Sequence, residues 1–513
     1  MRPRRLLMRP RRLLVRLGLR GAERTVVALM LLLLWSCGPP PEPTFTLRLD
    51  PLGRTPLAAE AVLESREPVI ITRVEIEGGV SSDLSQGLAS TTHRFPILGF
   101  VSGSSHQVRL HYRRASSETV ETTWPVEVVT KPLPADFPII DVKRGDPKLP
   151  AEGGYLLVSL SPLERAEPLD QKGLVVLLDT EGRVIWYMAT RSAVGPMRVS
   201  QQGGHLLLQQ FKSLRQDEIS WTGEVLRTWQ ASGLRAVEDA SMAVPVDTLH
   251  HDFQEMGNGQ FWTLSSRLRE QGKLRRVDEL LLHIDGQGAI LEEISLMDLL
   301  DPGREVHPRY PNYWEMFYGR GVIDWGHANS LVVSGSTALL SLAYQDAVLK
   351  LDLKARKPLW ILGRPDGWRA PWSELLLNPL PPLRWPAKQH SATYTRDGNI
   401  LLFDNGTSQS RVVEYRVDEQ ARTVEQVWEF ADGPGFFSPL LSGVRELPQT
   451  GNIEIADGTR SANWAGYWCR VLEVTHSTPP VKVLEVSFRR RQGAGVSLYR
   501  CERLPSLYPV LKP

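Results

Sequence analysis

VVLLDTEGRVIWY, residues 175–187, is an apolar strand, a polar turn and a second apolar strand ending on tryptophan and tyrosine. The same phrase returns as EISWTGEVLRTW (218–229), ELLLHIDGQGAILEEI (279–294), VLKLDLKARKPLWIL (348–362), VVEYRVDEQARTVEQVWEF (412–430) and CRVLEVTHSTPPVKVLEV (469–486). Between these hairpins lies a second unit, a glycine-bearing turn followed by an apolar strand. Its glycines are Gly154, Gly204, Gly259, Gly335, Gly398 and Gly451. Two hairpins per repeat make four strands, and one four-stranded blade cannot bury both of its faces. Six blades stacked in a ring bury them without long exposed edges. The sequence therefore predicts an all-β protein whose main body, residues 139–513, is a six-bladed β-propeller.

Upstream of the repeats, residues 44–132 read as short alternating strands (FTLRLDPL, VIITRVEIEG, HQVRLHYRR and others) and predict a small N-terminal β-sandwich. The proline-rich stretch VTKPLPADFP (129–138) separates it from the propeller. Residues 1–36 combine a cationic start, a short apolar run and a small residue before Cys37, the pattern of a secretory signal. LWSC (34–37) resembles a bacterial lipobox with an atypical tryptophan. Lipidation at Cys37, with residues 37–43 as a tether, is favoured over a plain signal peptide with an incidental cysteine. The expected location is the outer membrane, held by the lipid anchor alone, on its periplasmic or its outer face. Nine of the 60 basic residues and one of the 58 acidic ones lie in residues 1–36, leaving 51 and 57 and a net charge of −6. Such a body has no excess of cations for nucleic-acid phosphates. Cys469 and Cys501 would share an oxidising compartment after export. They are either a disulfide stapling the last blade or two buried thiols.

Eight residues upstream of Gly259, Gly335 and Gly398 stand His251, His327 and His390. The other three repeats have Asp146, Pro196 and Gly443 there. The position begins the innermost strand of a blade, so three imidazoles should meet on the ring axis. With only 11 histidines in the chain, three at one repeat position point to a functional cluster. Asn329, two residues beyond His327, should face the same way. Two long connections, 298–323 and 363–388, lead into these strands. They carry Tyr310, Tyr313, Trp314, Phe317, Tyr318, Trp368, Trp372 and Trp385, and predict aromatic lids over the mouth. The residues alone leave two chemistries open: a metal held by three imidazoles, or group transfer through a covalent histidine with neighbouring oxyanion donors.

HHDFQ (250–254), DWGHANSL (324–331), QHSATYTRDGNILLFDNG (389–406) and LYRCERLPSLYP (498–509) resemble the arylsulfate sulfotransferases of bacteria. The resemblance implies cofactor-independent, metal-free ping-pong transfer of a sulfuryl group from a phenolic sulfate to a phenol. It implies His390 as the sulfated nucleophile, His251 and His327 as partners of the sulfuryl oxygens or the leaving phenoxide, and Asn329 as a substrate-binding hydrogen-bonder. One position departs. The family's usual S-x-R-x-Q string is SLAYQ (341–345) here, with Ala343 in the arginine's place. Arg198, Arg320 and Arg384 are the candidate replacements, and a propeller that binds sulfated ligands without turnover is the alternative reading.

Overall fold

The computed structural model describes residues 43–508 apart from 85–87, 164–171, 202–203, 211–213, 239, 308–312, 461–465 and 491–494. The Cys37 lipidation expectation lies outside the described residues, as does Tyr310. Six antiparallel sheets form the six blades of a propeller. Their innermost strands are Gly495–Leu504, Val194–Val199, His250–Glu255, Ala328–Ser334, His390–Tyr394 and Gly443–Glu446, for blades 1 to 6. Each of these strands touches the next one around the ring, and the sixth touches the first.

Every repeat glycine sits in the turn that leads into the second strand of its blade, and all six have positive φ, from 57° to 85°. A β-carbon is strained there, which is why the turn recurs as glycine. Side chains alternate across each strand, so one strand feeds two cores. Leu340 packs between blades 3 and 4, and its neighbour Leu339 packs between blades 4 and 5. Equivalent apolar layers fill the remaining gaps.

The repeated strand-end tryptophan also has a structural cause. Each reaches over the edge of its own blade and donates its indole N–H to a hairpin turn of the next. Trp186 donates to Trp221 O at 2.8 Å, Trp229 to Gly286 O at 3.2 Å and Trp428 to Ser477 O at 3.0 Å. Trp360 donates instead to the Glu419 side chain, at 3.0 Å.

The ring is closed by the far end of the chain. Gly495–Leu504 pairs with Tyr155–Leu163 and becomes the inner strand of blade 1. Asp146 therefore does not occupy an inner-strand position. It follows Ile139–Arg144, which adds a fifth, outer strand to blade 6. The seven strands between Thr44 and Val129 connect into one hydrogen-bonded network through the 18-residue strand Ala59–Ile76. The first half of that strand pairs with Thr44–Leu49 and Ser90–Ile97 and the second half with Ser105–Arg114, so the pairing joins them in one network rather than in two separate sheets. Their apolar side shares a core with blades 1 and 6, and Tyr508 Oη ties the closing segment to Leu98 of this sheet.

Of the two alternatives for Cys469 and Cys501, the structure has the free thiols. Cys469 lies on the third strand of blade 6 within the apolar core. Cys501 lies on the inner strand of blade 1, where its partner is the Glu454 side chain. Burial raises the pKa of both thiols.

Candidate active site

The three histidines stand at the mouth-side ends of neighbouring inner strands, each at a break in the ladder. The register slips between His250 and Phe253, between Ala328 and Ser330, and between His390 and Thr393. His251 and His327 have φ of 57° and 50°, and Ser391 has 57°. Such bulges re-aim side chains off the strand direction. Non-glycine residues in this strained region persist only where the surroundings fix them.

The bulges turn the rings toward one another. The His251 and His327 ring centroids are 4.8 Å apart at 66°. His390 acts electrostatically on His251 and feels His327 in turn. Each ring is held through its Nδ1. His390 Nδ1 is 2.8 Å from Asn405 Oδ1 and 3.1 Å from the Lys388 carbonyl, both acceptors, so Nδ1 carries the proton and the lone pair lies on Nε2. Asn405 is oriented in turn, donating Nδ2 to the carbonyls of Ser438 and Leu441 at 2.8 and 3.2 Å. His327 Nδ1 donates to Asp324 Oδ2 at 2.6 Å, and its ring stacks on Tyr344 at 4.7 Å and 15°. His251 Nδ1 meets His250 Nδ1 at 2.8 Å.

Burial governs the protonation of this cluster. It lowers the His390 pKa to about 3, with His327 and Arg500 adding to the effect. It holds His251 well below the ordinary imidazole range, reinforced by the other three histidines and Arg500. Both rings are neutral at physiological pH, which leaves His390 with a nucleophilic lone pair.

Arg500, on the closing strand, is the fixed cation of the site. Its guanidinium reaches Asp252 Oδ2 at 2.7 Å and donates to the Asn329 carbonyl at 2.8 Å. Asp252 also binds Arg198 at 3.2 Å and the Leu331 amide at 2.9 Å, so one carboxylate joins the inner strands of blades 1 to 4. Next to this layer a channel cavity of about 360 Å³ is lined by Arg198, Asp252, Ser330, Ser391 and Arg500, and none of the three histidines lines it.

Several sequence expectations change in detail. Asn329 does not follow its strand's alternation, because it is the extra residue of the blade 4 bulge. It is fully buried and donates Nδ2 to the Gln389 carbonyl at 2.8 Å, positioning the segment that carries His390. Ala343 starts a short 3-10 turn whose amide bonds the His327 carbonyl at 3.2 Å. Arg320 and Arg384 are exposed. Arg384 faces Glu429 and is no replacement for the missing guanidinium.

The first lid delivers aromatics to the site. Tyr313 lies 5.2 Å from the His251 ring and 6.2 Å from His327. Trp314 lies 4.7 Å from His250. The second lid does not. Trp368 and Trp372 pack against the core between blades 3 and 4, and Trp385 against the core between blades 4 and 5. Asn378–Leu380 joins blade 5 as an outer strand.

Residues 152–492 match the sequence model of the arylsulfotransferase (ASST) family. This chain belongs to that family. The chain is 24% identical over 352 residues to "Arylsulfate sulfotransferase AssT" of Escherichia coli, covering 56% of this chain and 58% of that protein. It is 20% identical over 394 residues to the protein of the same name from Lelliottia amnigena, covering 64% and 65%. The match thus spans less than two thirds of either relative. Among solved structures, a protein of unknown function from Bacteroides caccae is 12% identical with a TM-score of 0.31, covering 65% of this chain and 93% of that one. The hydrazine synthase of Kuenenia stuttgartiensis is 12% identical with a TM-score of 0.29, covering 57% and 64%.

Asn405, Asp324 and Arg500 complete the candidate site beyond the three histidines. All three lie inside the motifs FDNG, DWGHANSL and LYRCERLP, but sequence spacing gives no sign of what they touch.

Proposed function

We propose that this arylsulfotransferase moves a sulfuryl group from an aryl sulfate to a phenol through a covalent sulfohistidine at His390. The observation that carries the reading is the Asn405–His390 hydrogen bond, which leaves the lone pair of a neutral imidazole on Nε2. In the first half-reaction Nε2 forms a bond to sulfur while the bond from sulfur to the aryl oxygen breaks. The aryl oxygen leaves with the electron pair and takes a proton from His251 or His327. In the second half-reaction the acceptor phenol returns that proton and its oxygen attacks sulfur. The N–S bond breaks and Nε2 regains its lone pair. Developing charge on the sulfuryl oxygens falls beside His327 and Arg500, as transfer through a loose transition state requires. Tyr313 and Tyr344 offer flat faces to an aryl ring.

Among the described residues, no group of three His, Cys, Asp or Glu side chains is arranged to hold a metal ion. The chemistry above asks for none. Ala343 favours the second reading, a pocket that binds sulfated aromatics without turning them over.

One experiment separates the two. The protein is incubated with umbelliferyl sulfate and phenol, without metal or nucleotide, and peptides are searched for sulfated His390. The proposal expects transfer and a sulfated peptide, both lost in His390→Ala. Binding without transfer, unchanged in His390→Ala, establishes the second reading. The chain is further proposed to be a lipoprotein anchored through Cys37. Radiolabelled palmitate should enter the wild type and not Cys37→Ser.

A further inference from the structure

Behind His251 lies a line of buried groups to which the reaction above assigns no task. His250 and Glu279 are both fully buried. His250 Nε2 is 3.4 Å from Glu279 Oε2, and its other nitrogen, Nδ1, is 2.8 Å from His251 Nδ1. Carboxyl, imidazole and imidazole thus stand in series, ending at the ring that touches His327. The Ser265 carbonyl lies near His250, and the amides of Ala328 and His327 lie near Glu279. Among the described residues, however, neither His250 Nε2 nor either Glu279 oxygen makes a well-formed hydrogen bond, although the two groups face each other at 3.4 Å. Buried polar groups rarely stand so, and two that face each other call for an explanation.

The surroundings insulate the line. Trp314, fully buried, packs edge-on against His250 at 4.7 Å. Glu279 fills the space left by Gly326, where a β-carbon would lie 2.8 Å from Glu279 Cγ.

We propose that Glu279, His250 and His251 form a proton relay that serves the aryl oxygen from the buried side of the site. This rests on the sulfuryl-transfer reading. At rest Glu279 is a neutral acid facing His250 Nε2 across 3.4 Å, His250 Nδ1–H donates to His251 Nδ1, and His251 carries its proton on Nε2. When the aryl oxygen leaves sulfur with its electron pair, it takes the Nε2 proton of His251. His251 Nδ1 takes the proton of His250 Nδ1, and His250 Nε2 takes that of Glu279, which becomes a carboxylate. Neither imidazole becomes a cation. The acceptor phenol reverses each transfer, so no proton is gained or lost over the cycle. Protonation of the separate groups agrees. Burial lowers the pKa of His250 to about 3 and of His251 well below the usual range, while burial and the Asp324 carboxylate raise Glu279 well above its own.

Leaving groups of graded basicity test the relay. In Glu279→Gln, which keeps the shape but has no proton to release, kcat/KM for nitrophenyl sulfate, which reports the first half-reaction alone, should stay within about threefold of wild type. The same constant for an alkylphenyl sulfate, whose phenoxide needs the proton, should fall on the order of 10²-fold or more. His250→Gln should behave likewise. Equal losses with both donors would mean a packing role and overturn the relay. A readout independent of turnover accompanies this. Resting wild type should show an infrared band of a protonated buried carboxyl that Glu279→Gln lacks. Nitrogen-15 spectra should show His250 neutral with its proton on Nδ1. An ionised Glu279, or an imidazolium at His250, sinks the relay. If wild type transfers from no donor, the sulfotransferase reading fails, while the spectra still decide the resting state of the line.

Discussion

The proposed nucleophile, His390, would owe its reactivity to one nitrogen being occupied. Because Asn405 and the Lys388 carbonyl both accept from Nδ1, Asn405→Ala should release the tautomer and lower kcat roughly 10²-fold, with much less change in KM, as loss of an orienting group does elsewhere. Steady-state kinetics with a nitrophenyl donor check this. The folded His390 pKa of about 3 lies below the ordinary imidazole value of roughly 6.5, so the ring stays unprotonated throughout the interval between them. Transfer from a donor with an acidic leaving group should therefore not decline through ordinary imidazole titration between pH 7 and about pH 5. A fall centred near 6.5 would show that His390 is not held neutral. The trio of histidines was legible from one repeat position and the rarity of the residue. Their partners were not. Asp324 stands three residues before His327, but spacing does not say that it faces the ring; Asn405 comes just after the next strand and Arg500 from a strand 249 residues beyond His251, and no local pattern links these two to the histidines.

The strand-end tryptophan is a repeat signature with a mechanical meaning, since it fastens blades 1, 2, 4 and 5 each to its neighbour. Trp428→Phe removes the bond to the Ser477 carbonyl and should cost about 0.5–1.5 kcal/mol, read by urea unfolding, with turnover unchanged. Asp252 is a costlier fastening. Asp252→Ala would leave Arg500 buried without its counter-charge and should cost about 3–5 kcal/mol. The hairpins also show where equal spacing deceives. His251 and His390 each lie four residues before the end of their strands, at Glu255 and Tyr394, whereas His327 lies seven before Ser334. Five residues separate the last ladder pairs Glu255–Phe261 and Tyr394–Ile400, but only two separate Ser334 from Thr337. A longer strand and a shorter turn cancel, and the same count to glycine results. Bulges likewise defeated the period-two expectation for Asn329, because an extra residue flips everything beyond it.

At the level of the whole ring, blade number and the glycine turns could be counted in the sequence, but the manner of closure could not. The sixfold count is satisfied equally by a ring that starts with its own inner strand and by one that borrows it. Only the pairing of Gly495–Leu504 with Tyr155–Leu163 decides this. A chain ended at residue 494 should lose transfer entirely and unfold at a markedly lower temperature, because blade 1 loses its inner strand and the site loses Tyr499 and Arg500 together; calorimetry and the umbelliferyl assay read both effects. The order of synthesis gives this closure a further meaning. A ribosome delivers blade 2, the histidines and both lids long before the strand that brings the guanidinium to Asp252. Every nascent, stalled or clipped copy therefore carries its imidazoles on an open ring, and competence to transfer arrives as a single event with the last few dozen ångströms of polypeptide.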